Sequence, residues 1–295
     1  MESTTVSYKL IKKIKDDKFD VDELQHYNLL LNVGFRDFQV CIVDSRTNRC
    51  LLLEDYILAK VSSNTDLIEV LKGIFEGHHL LLAGFWKNVR IAFKNNQFAL
   101  VPSPIFDSEH VFQYLKLNAN IDTASDEPQY YKNIKSNSVT AFAIDKELAE
   151  WFRQTYPNLK IGFLHQASAM IEGVLNYAKD YDSNRLFIYI DRFKLHIISV
   201  KNNEVEYYNQ FSIKQFSDYI KYIMLVLKSL NKDQNTSNII IWGYIGRQSP
   251  HYNEFYKYIN NIAFGERPDY LKFSYLFDEV QDHHFFDLYS MYLCD

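Results

Sequence analysis

Short apolar runs separated by turn residues predict that the chain opens with three consecutive strands. Residues 29–31, 38–43 and 50–53 are almost entirely apolar, and each run has the length of a buried strand. Asn32-Val33-Gly34 follows the first run, and the polar cluster 44–48 separates the second run from the third. Such clusters favour tight turns. The opening segment therefore reads strand, turn, strand, turn, strand.

The C-terminal half repeats this order and continues it. Residues 185–211 again predict three strands, and Ser212 with Gln215 forms the polar pair that starts a helix. The apolar positions of this helix form one stripe: Phe216, Ile220, Ile223, Leu227 and Leu230. The remaining segments predict a strand, a helix, a strand and a helix, at 239–241, 253–262, 271–275 and 285–293. This half therefore reads βββαβαβα.

The N-terminal half fits the same order if one segment is treated as an insertion. A first helix starts near Ser63 and ends at Gly77, and the following residues are irregular in pattern. Regular order returns with strands at 139–144 and 159–164 and helices at 145–157 and 167–178. We therefore predict an α/β fold with two lobes, residues 1–182 and 183–295, and an insertion at about 79–135 in the first lobe.

This duplicated order resembles the paired ribonuclease-H-like lobes of hexokinases, actin and the 70-kDa chaperones. The chain is similar to a small bacterial family of uncharacterised proteins with an actin-like ATPase fold. Two stretches carry that resemblance, Phe98-Ala99-Leu100-Val101-Pro102 and the ending from Phe285-Phe286-Asp287-Leu288 to Cys294. The chain is more distantly similar to actin-like proteins of pilus assembly and type II secretion. The resemblance implies an actin-like ATPase architecture.

Composition narrows the classes of function. A net charge of −5 over 295 residues argues against a general nucleic-acid binder, which normally carries a basic stripe. No run of about 18 apolar residues predicts a membrane span, and Met1–Thr5 does not begin a signal peptide. Cys41, Cys50 and Cys294 form no CxxC motif and are expected to be free thiols. These features predict a cytoplasmic protein whose Lys-rich start, Lys9–Lys15, is a solvated arm.

The resemblance also implies where a nucleotide would bind. Active members of the superfamily carry an Asp with nearby glycines in each phosphate-binding hairpin, because backbone N–H groups approach the phosphates and carboxylates hold Mg²⁺. Here Asn32 and Gly34 occupy the first hairpin, and Asp191 is followed by Arg192-Phe193-Lys194 in the second. The adenosine motif is reduced to Trp242-Gly243-Tyr244-Ile245-Gly246, whose indole could stack on a purine. Any nucleotide site would use Asn32, Gly34, Asp191, Gly243 and Gly246, with ATP and Mg²⁺ as cofactors, although Gly34, Gly243 and Gly246 also fit ordinary turns and strand ends.

Other chemistry finds less support in the sequence. A two-metal nuclease needs converging carboxylates, and Asn32 replaces the first of them. The pairs His78-His79 and His283-His284 are adjacent residues, which point to different faces of a helix and do not chelate together. His284 and Asp287 would share a helical face, which leaves a weak metal hypothesis. His165 is interpreted as a helix-start residue. We expect no catalytic residues and no metal site.

Three hypotheses of function follow. The first is a catalytically degenerate actin-like-fold protein that acts as a binding or scaffold protein for an unknown protein partner. Its partner surface would lie on the Tyr-rich C-terminal lobe or on the aromatic residues of the insertion: Phe85, Trp86, Phe93, Phe98 and Phe106. The alternatives are a nucleotide-binding protein, such as a slow ATPase or kinase relative that uses the cleft between lobes, and a non-enzymatic sensor of a small ligand. The eroded phosphate motifs favour a protein without enzymatic activity.

Overall fold

A computed structural model of the chain describes residues 7–178, 185–192, 194–246 and 248–295. Strands within these residues are β1 (Ser7–Lys15), β2 (Tyr27–Val33), β3 (Asp37–Asp44), β4 (Arg49–Ala59), β5 (Asn88–Phe93), β6 (Phe98–Pro102), β7 (Asp126–Lys132), β8 (Ser138–Asp145), β9 (Ile161–His165), β10 (Arg185–Asp191), β11 (Lys194–Lys201), β12 (Glu204–Ser212), β13 (Asn238–Gly243) and β14 (Asn261–Phe264). The α-helices are α1 (Asn64–Glu76), α2 (Val111–Lys116), α3 (Lys146–Thr155), α4 (Gln166–Tyr177), α5 (Phe216–Ser229), α6 (Pro250–Phe255) and α7 (Phe286–Ser290).

The first lobe is built on a six-stranded sheet with the order β1-β4-β3-β2-β5-β9. Strands β2, β3 and β4 form an antiparallel meander, and β5 and β9 run parallel to β2. Every residue of β2 and β3 is buried, as expected for central strands that are covered on both faces. The continuous apolar runs that predicted these strands therefore reflect their position in the middle of the sheet.

The second lobe repeats this topology in a five-stranded sheet with the order β12-β11-β10-β13-β14. Strands β10, β11 and β12 are antiparallel, and β13 and β14 run parallel to β10. With α5, α6 and α7 this gives the predicted order βββαβαβα. The predicted lobe boundary at residues 182 and 183 lies outside the described residues and stays a prediction.

The prediction that residues 139–144 form the fourth core strand of the first lobe is wrong. Strand β5 pairs with β2 in the six-stranded sheet, whereas residues 79–135 were all placed in the insertion. The strand predicted at 139–144 is β8, which lies between β6 and β7 in a separate three-stranded sheet. The additional unit thus begins after β5 and ends before α3. Both strands are short apolar runs, and only their pairing distinguishes them.

Three other predictions are corrected. The helix predicted at 253–262 ends at Phe255, and the strand expected at 271–275 is found at 261–264, where β14 pairs with β13. The Lys-rich start is the edge strand β1, which pairs with β4 instead of forming a solvated arm. Both strand pairings join segments that are distant in sequence, and local periodicity does not report such contacts.

The last helix of each lobe packs against the other lobe. In α4, Met170, Ile171 and Val174 contact Phe187 and Trp242 of the second sheet. In α7, Leu288 and Tyr289 join the core of the first lobe. The two helices cross closely at Gly173, where a Cβ atom would lie 2.1 Å from Ser290 Oγ and 2.9 Å from Phe286 Cζ. Because each of these helices packs against the opposite lobe, the N-termini of α4 and α7 lie in the space between the lobes.

We predict that Gly173→Ala destabilises the protein by about 1–3 kcal/mol, because the added methyl group has no room between the two helices. Urea denaturation of the purified variant measures this change. Gly73→Ala in α1 is the matched control, since its Cβ would lie 3.4 Å from the nearest atom, a ring carbon of Tyr8. Ala there should be neutral or stabilise by up to about 1 kcal/mol. Equal effects of the two substitutions would contradict the close crossing.

Candidate functional site

The C-terminal ends of β2 and β10 meet the N-termini of α4 and α7 in a buried polar cluster. Asp287, in the first turn of α7, is fully buried and sits at its centre. Its Oδ2 accepts hydrogen bonds from Asn32 Nδ2 and Gln166 Nε2, each at 2.7 Å, and its Oδ1 accepts one from the Tyr189 hydroxyl at 2.5 Å. Gln166 Nε2 also donates to Asp191 Oδ2 at 3.0 Å. These contacts join residues from both lobes.

Lys94 supplies a positive charge to this cluster. It follows β5 directly, and its backbone N–H donates to Val33 O at 2.8 Å, which aims the side chain into the space between the lobes. Its Nζ lies 2.8 Å from Asp37 Oδ2, 3.4 Å from Asp191 Oδ2 and 3.7 Å from Asp287 Oδ2. The residue is only 9% exposed. A single ammonium therefore contacts three buried carboxylates, two of which come from the second lobe.

Arg192 forms a second bridge between the lobes. Its guanidinium contacts Asp37 Oδ2 at 2.6 Å and Asp55 Oδ2 at 2.7 Å, both in the first lobe. The same group lies over the ring of Tyr244, 4.5 Å from the ring centroid. Gln39 completes the arrangement, because its Nε2 donates to Asp55 Oδ1 at 3.2 Å and to the Tyr244 hydroxyl. Arg192 is thus fixed by two carboxylates and an aromatic face.

The charges set the protonation states of the cluster. Burial disfavours ionisation of Asp191, but the Lys94 ammonium outweighs it and holds the pKa of that carboxyl below its ordinary value. Burial likewise opposes the charge of Lys94, and Asp191, Asp37 and Asp287 raise its pKa above the ordinary value. Burial lowers the pKa of His165 and of His196 to about 3, so both rings are neutral at pH 7. The cluster is therefore a set of paired ions with neutral neighbours.

Two cavities adjoin the predicted nucleotide residues. One of about 450 Å³ opens beside the ionic cluster and is lined by Gly34, Asp37, Lys94, Asp191, Arg192 and Lys194, among others. Burial lowers the pKa of Lys194 to about 8. The other, of about 730 Å³, is lined by Gly246, Phe264, Glu266 and His283. The structure therefore divides the predicted site between separate spaces.

Comparison with known protein families identifies the family of this chain. The family described as "Protein of unknown function (DUF3822)" matches residues 16–262. The chain belongs to the DUF3822 family. No curated protein sequence matches it significantly.

Solved structures confirm the actin-like fold of this DUF3822 protein. A Bacteroides thetaiotaomicron protein with an actin-like ATPase fold and unknown function is 19% identical, with a TM-score of 0.79, and the match covers 94% of this chain and 99% of that chain. The PilM–PilN type IV pilus biogenesis complex gives a TM-score of 0.59 at 10% identity and covers 91% and 98%. The Clostridium difficile activator of 2-hydroxyisocaproyl-CoA dehydratase, with bound ADPNP, covers 90% and 93% at 11% identity, but its TM-score of 0.42 does not bear on ligand binding here. The resemblance inferred from the sequence is thereby confirmed.

The predicted nucleotide residues have different surroundings. Asn32 and Asp191 lie together in the ionic cluster. A Cβ atom on Gly34 would be 3.1 Å from Asp37 Oδ1 and 3.2 Å from Lys94 Cβ, so the protein itself fills the space beside that turn. Gly243 has φ +101°, and its Cβ would be 2.1 Å from Ile190 O, which explains this glycine structurally. A Cβ atom on Gly246 would have no atom of the described residues outside its immediate chain neighbours within 4 Å. Their role in binding stays a prediction.

Local geometry bears on two further hypotheses from the sequence, the stacking of Trp242 and the metal pair of His284 and Asp287. Trp242 is fully buried and stacks on Phe187 and Phe286, so its indole does not face a ligand. Helix α7 begins only after Phe285, which has φ +58°, and His284 therefore does not share a helical face with Asp287. No group of three or more metal-binding side chains occurs among the described residues. Phe193 lies outside them, and within them no helix is long and apolar enough to cross a membrane.

Sequence reasoning missed most of the ionic cluster. The sequence did not point to Lys94, Asp37, Asp55 or Gln39, and it pointed to Asp287 only within the family-like ending and as a metal ligand beside His284. A signal for two of them exists, because Gln39 and Asp55 are polar residues within otherwise buried strands. Buried polar side chains in a strand need hydrogen-bonding or charged partners, so they indicate a buried polar cluster.

We predict that Lys94→Met lowers the free energy of unfolding by about 3–5 kcal/mol, because removing one partner leaves buried carboxylates without their cation. Chemical denaturation measures the loss. Lys72→Met on the exposed face of α1 is the control and should change stability by less than about 0.5 kcal/mol. Adding Asp191→Asn to Lys94→Met should recover part of the loss, since Asp191 forms its ion pair with Lys94 and the double variant removes that unpaired charge. A Lys94 variant as stable as the Lys72 control would contradict this account.

Proposed function

We propose that this protein is a catalytically inactive member of the actin-like superfamily that works as a binding or scaffold protein. The observation that carries the proposal is the pairing of the cleft carboxylates with cations of the chain itself. Lys94 contacts Asp37, Asp191 and Asp287, and Arg192 contacts Asp37 and Asp55. In active relatives, carboxylates at this place hold Mg²⁺ and glycines admit the phosphates.

This pairing leaves little for a magnesium ion to bind. Mg²⁺ requires near-octahedral oxygen ligands and keeps several of its waters. Both oxygens of Asp287 already accept hydrogen bonds, and Asp191 accepts from Gln166 and from the backbone N–H of Arg192. Binding Mg-ATP here would mean breaking buried ion pairs, each of which is costly to separate. The geometry therefore favours a closed, structural cluster over a catalytic centre.

A precedent for partner binding comes from a similar fold. The PilM–PilN type IV pilus biogenesis complex contains a chain of this architecture within a protein assembly. That precedent supports a scaffold role for the present protein.

The aromatic surface expected on the insertion is largely internal. Trp86 and Phe93 are buried in the core of the first lobe, and Phe98 stacks on His165 with ring centroids 4.5 Å apart. Phe106 packs against Tyr114 and Tyr130. Phe85 is 74% exposed and is the one member of that set that faces solvent widely. The insertion therefore offers a smaller aromatic surface than its sequence predicts.

A small anionic ligand is the second candidate. The cavity of about 450 Å³ beside the cluster is lined by three cationic side chains, by two carboxylates that pair with them and by polar groups: Lys94, Arg192, Lys194, Asp37, Asp191, Asn95, Asn96 and Ser212. A ligand there would make this protein a sensor without chemistry. The predicted nucleotide-binding alternative would use this cavity at Gly34 and Asp191, whereas Gly246 lines the other cavity.

We predict that Mg²⁺ with ATP, ADP or GTP at millimolar concentration leaves the thermal unfolding temperature unchanged. A nucleotide at ~100 times its dissociation constant would stabilise the protein by roughly 2.7 kcal/mol, which is readily detected. An ATP-binding protein treated in parallel serves as the positive control. A clear shift, confirmed by calorimetry and abolished by Asp191→Asn, would replace the scaffold proposal with the nucleotide-binding alternative. Stabilisation by small anions alone would support the sensor.

A further inference from the structure

Strand β1 is an open edge of the six-stranded sheet. It pairs with β4 on one side, and no strand of the described residues pairs with its other side. At nine residues it is long for an edge strand. Exposed edges of this length present unpaired backbone groups that can accept a strand from another chain.

The register shows which backbone groups face outward. Leu58 N–H donates to Arg36 O, on the β3 side of β4, whereas Asp16 N–H donates to Leu51 O, on the β1 side. Because antiparallel residues alternate in direction, β4 residues 57, 55 and 53 face β1, and their partners are Lys9, Lys12 and Ile14. The residues whose N–H and C=O groups point away from β4 are the alternate ones: Tyr8, Leu10, Lys13 and Lys15. These groups are available to a further strand.

Edge strands are commonly protected from pairing by charged side chains, but several side chains along β1 are apolar and exposed. Tyr8, Leu10 and Ile11 are 43%, 39% and 42% exposed. Lysines and a bulge, which here interrupts the register at Ile11, are common devices that discourage edge pairing. They do not explain why three apolar side chains of the edge strand itself remain exposed, which is a feature of interaction surfaces.

The charge of the strand selects the kind of partner. Ser7–Lys15 contains four lysines and no acidic residue. Lys12 and Lys13 already contact Glu279 and Glu54, each at 2.7 Å, while Lys9 and Lys15 have no acidic partner among the described residues. A second copy of β1 would bring lysines against lysines, which is unfavourable across paired strands. An acidic strand would instead be attracted to this edge.

We propose that β1 binds an extended segment of a protein partner that carries both acidic and apolar side chains, so that the segment adds a seventh strand to the sheet. This inference rests on the proposed role of the protein in binding a partner. Backbone hydrogen bonds to Tyr8, Leu10, Lys13 and Lys15 would supply affinity, and contacts with the lysines and exposed apolar side chains would supply selectivity.

A display library of random 16-residue peptides, selected on the full-length protein, tests this inference. Leu10→Pro removes an outward N–H without removing a bond to β4, and Leu10→Ala removes the side chain but keeps that N–H. The selected peptides should be enriched in acidic and apolar residues. They should bind Leu10→Pro at least tenfold more weakly than Leu10→Ala, and their affinity should fall as salt rises. Lys9→Glu with Lys15→Glu should also weaken them at least tenfold.

Circular dichroism and thermal unfolding establish that each variant is folded. If Leu10→Pro does not fold, the variant with Lys9→Glu and Lys15→Glu still provides the test. Peptides that bind the wild type and all variants equally would overturn the edge-strand inference while leaving the scaffold role intact. A library that yields no β1-dependent binder, or a wild-type dimer that Leu10→Pro dissociates, would also overturn it. Nucleotide binding in the cleft would overturn the scaffold proposal without altering the result at β1.

Discussion

The buried ammonium of Lys94 is the interaction on which the arrangement of the two lobes depends. A cation placed in a protein interior is strongly unfavourable unless anions surround it closely. Its three carboxylates come from β3, from the end of β10 and from α7, and so from both lobes. Each lobe contributes charge that the other must neutralise. The lobes are therefore held in one relative position by electrostatics as well as by packing.

Helix packing makes this electrostatic arrangement possible. Helix α4 lies against the second sheet and α7 against the core of the first lobe, and the two cross where Gly173 meets Ser290. The crossing places Gln166 and Asp287 at adjoining helix N-termini, within hydrogen-bonding distance of each other. A helix N-terminus also favours a negative charge in its first turn, where Asp287 lies. Packing and charge thus support the same geometry.

The carboxylates between the lobes pair with Lys94 and Arg192 of the chain itself. The proposed scaffold role assigns these ion pairs to structure instead of to nucleotide binding. Fold and activity are separable in this way because function depends on the site and not on the architecture. The outer surface, including the open edge at β1, then becomes the natural place to look for interactions.

Local patterns in the sequence were enough to predict the class of fold and the three-strand units. Those features are local, because apolar periodicity, turn residues and capping residues act over a few positions. Only the tertiary structure decided that β5 and not β8 is a core strand, that the Lys-rich start pairs with β4, and that Asn32 and Asp191 share a cluster with Lys94 and Asp287. Asn32 and Asp287 are 255 residues apart, and no local pattern records such a contact. Strand pairing and buried ion pairs join segments that are distant in sequence, so these contacts are seen only in the folded structure.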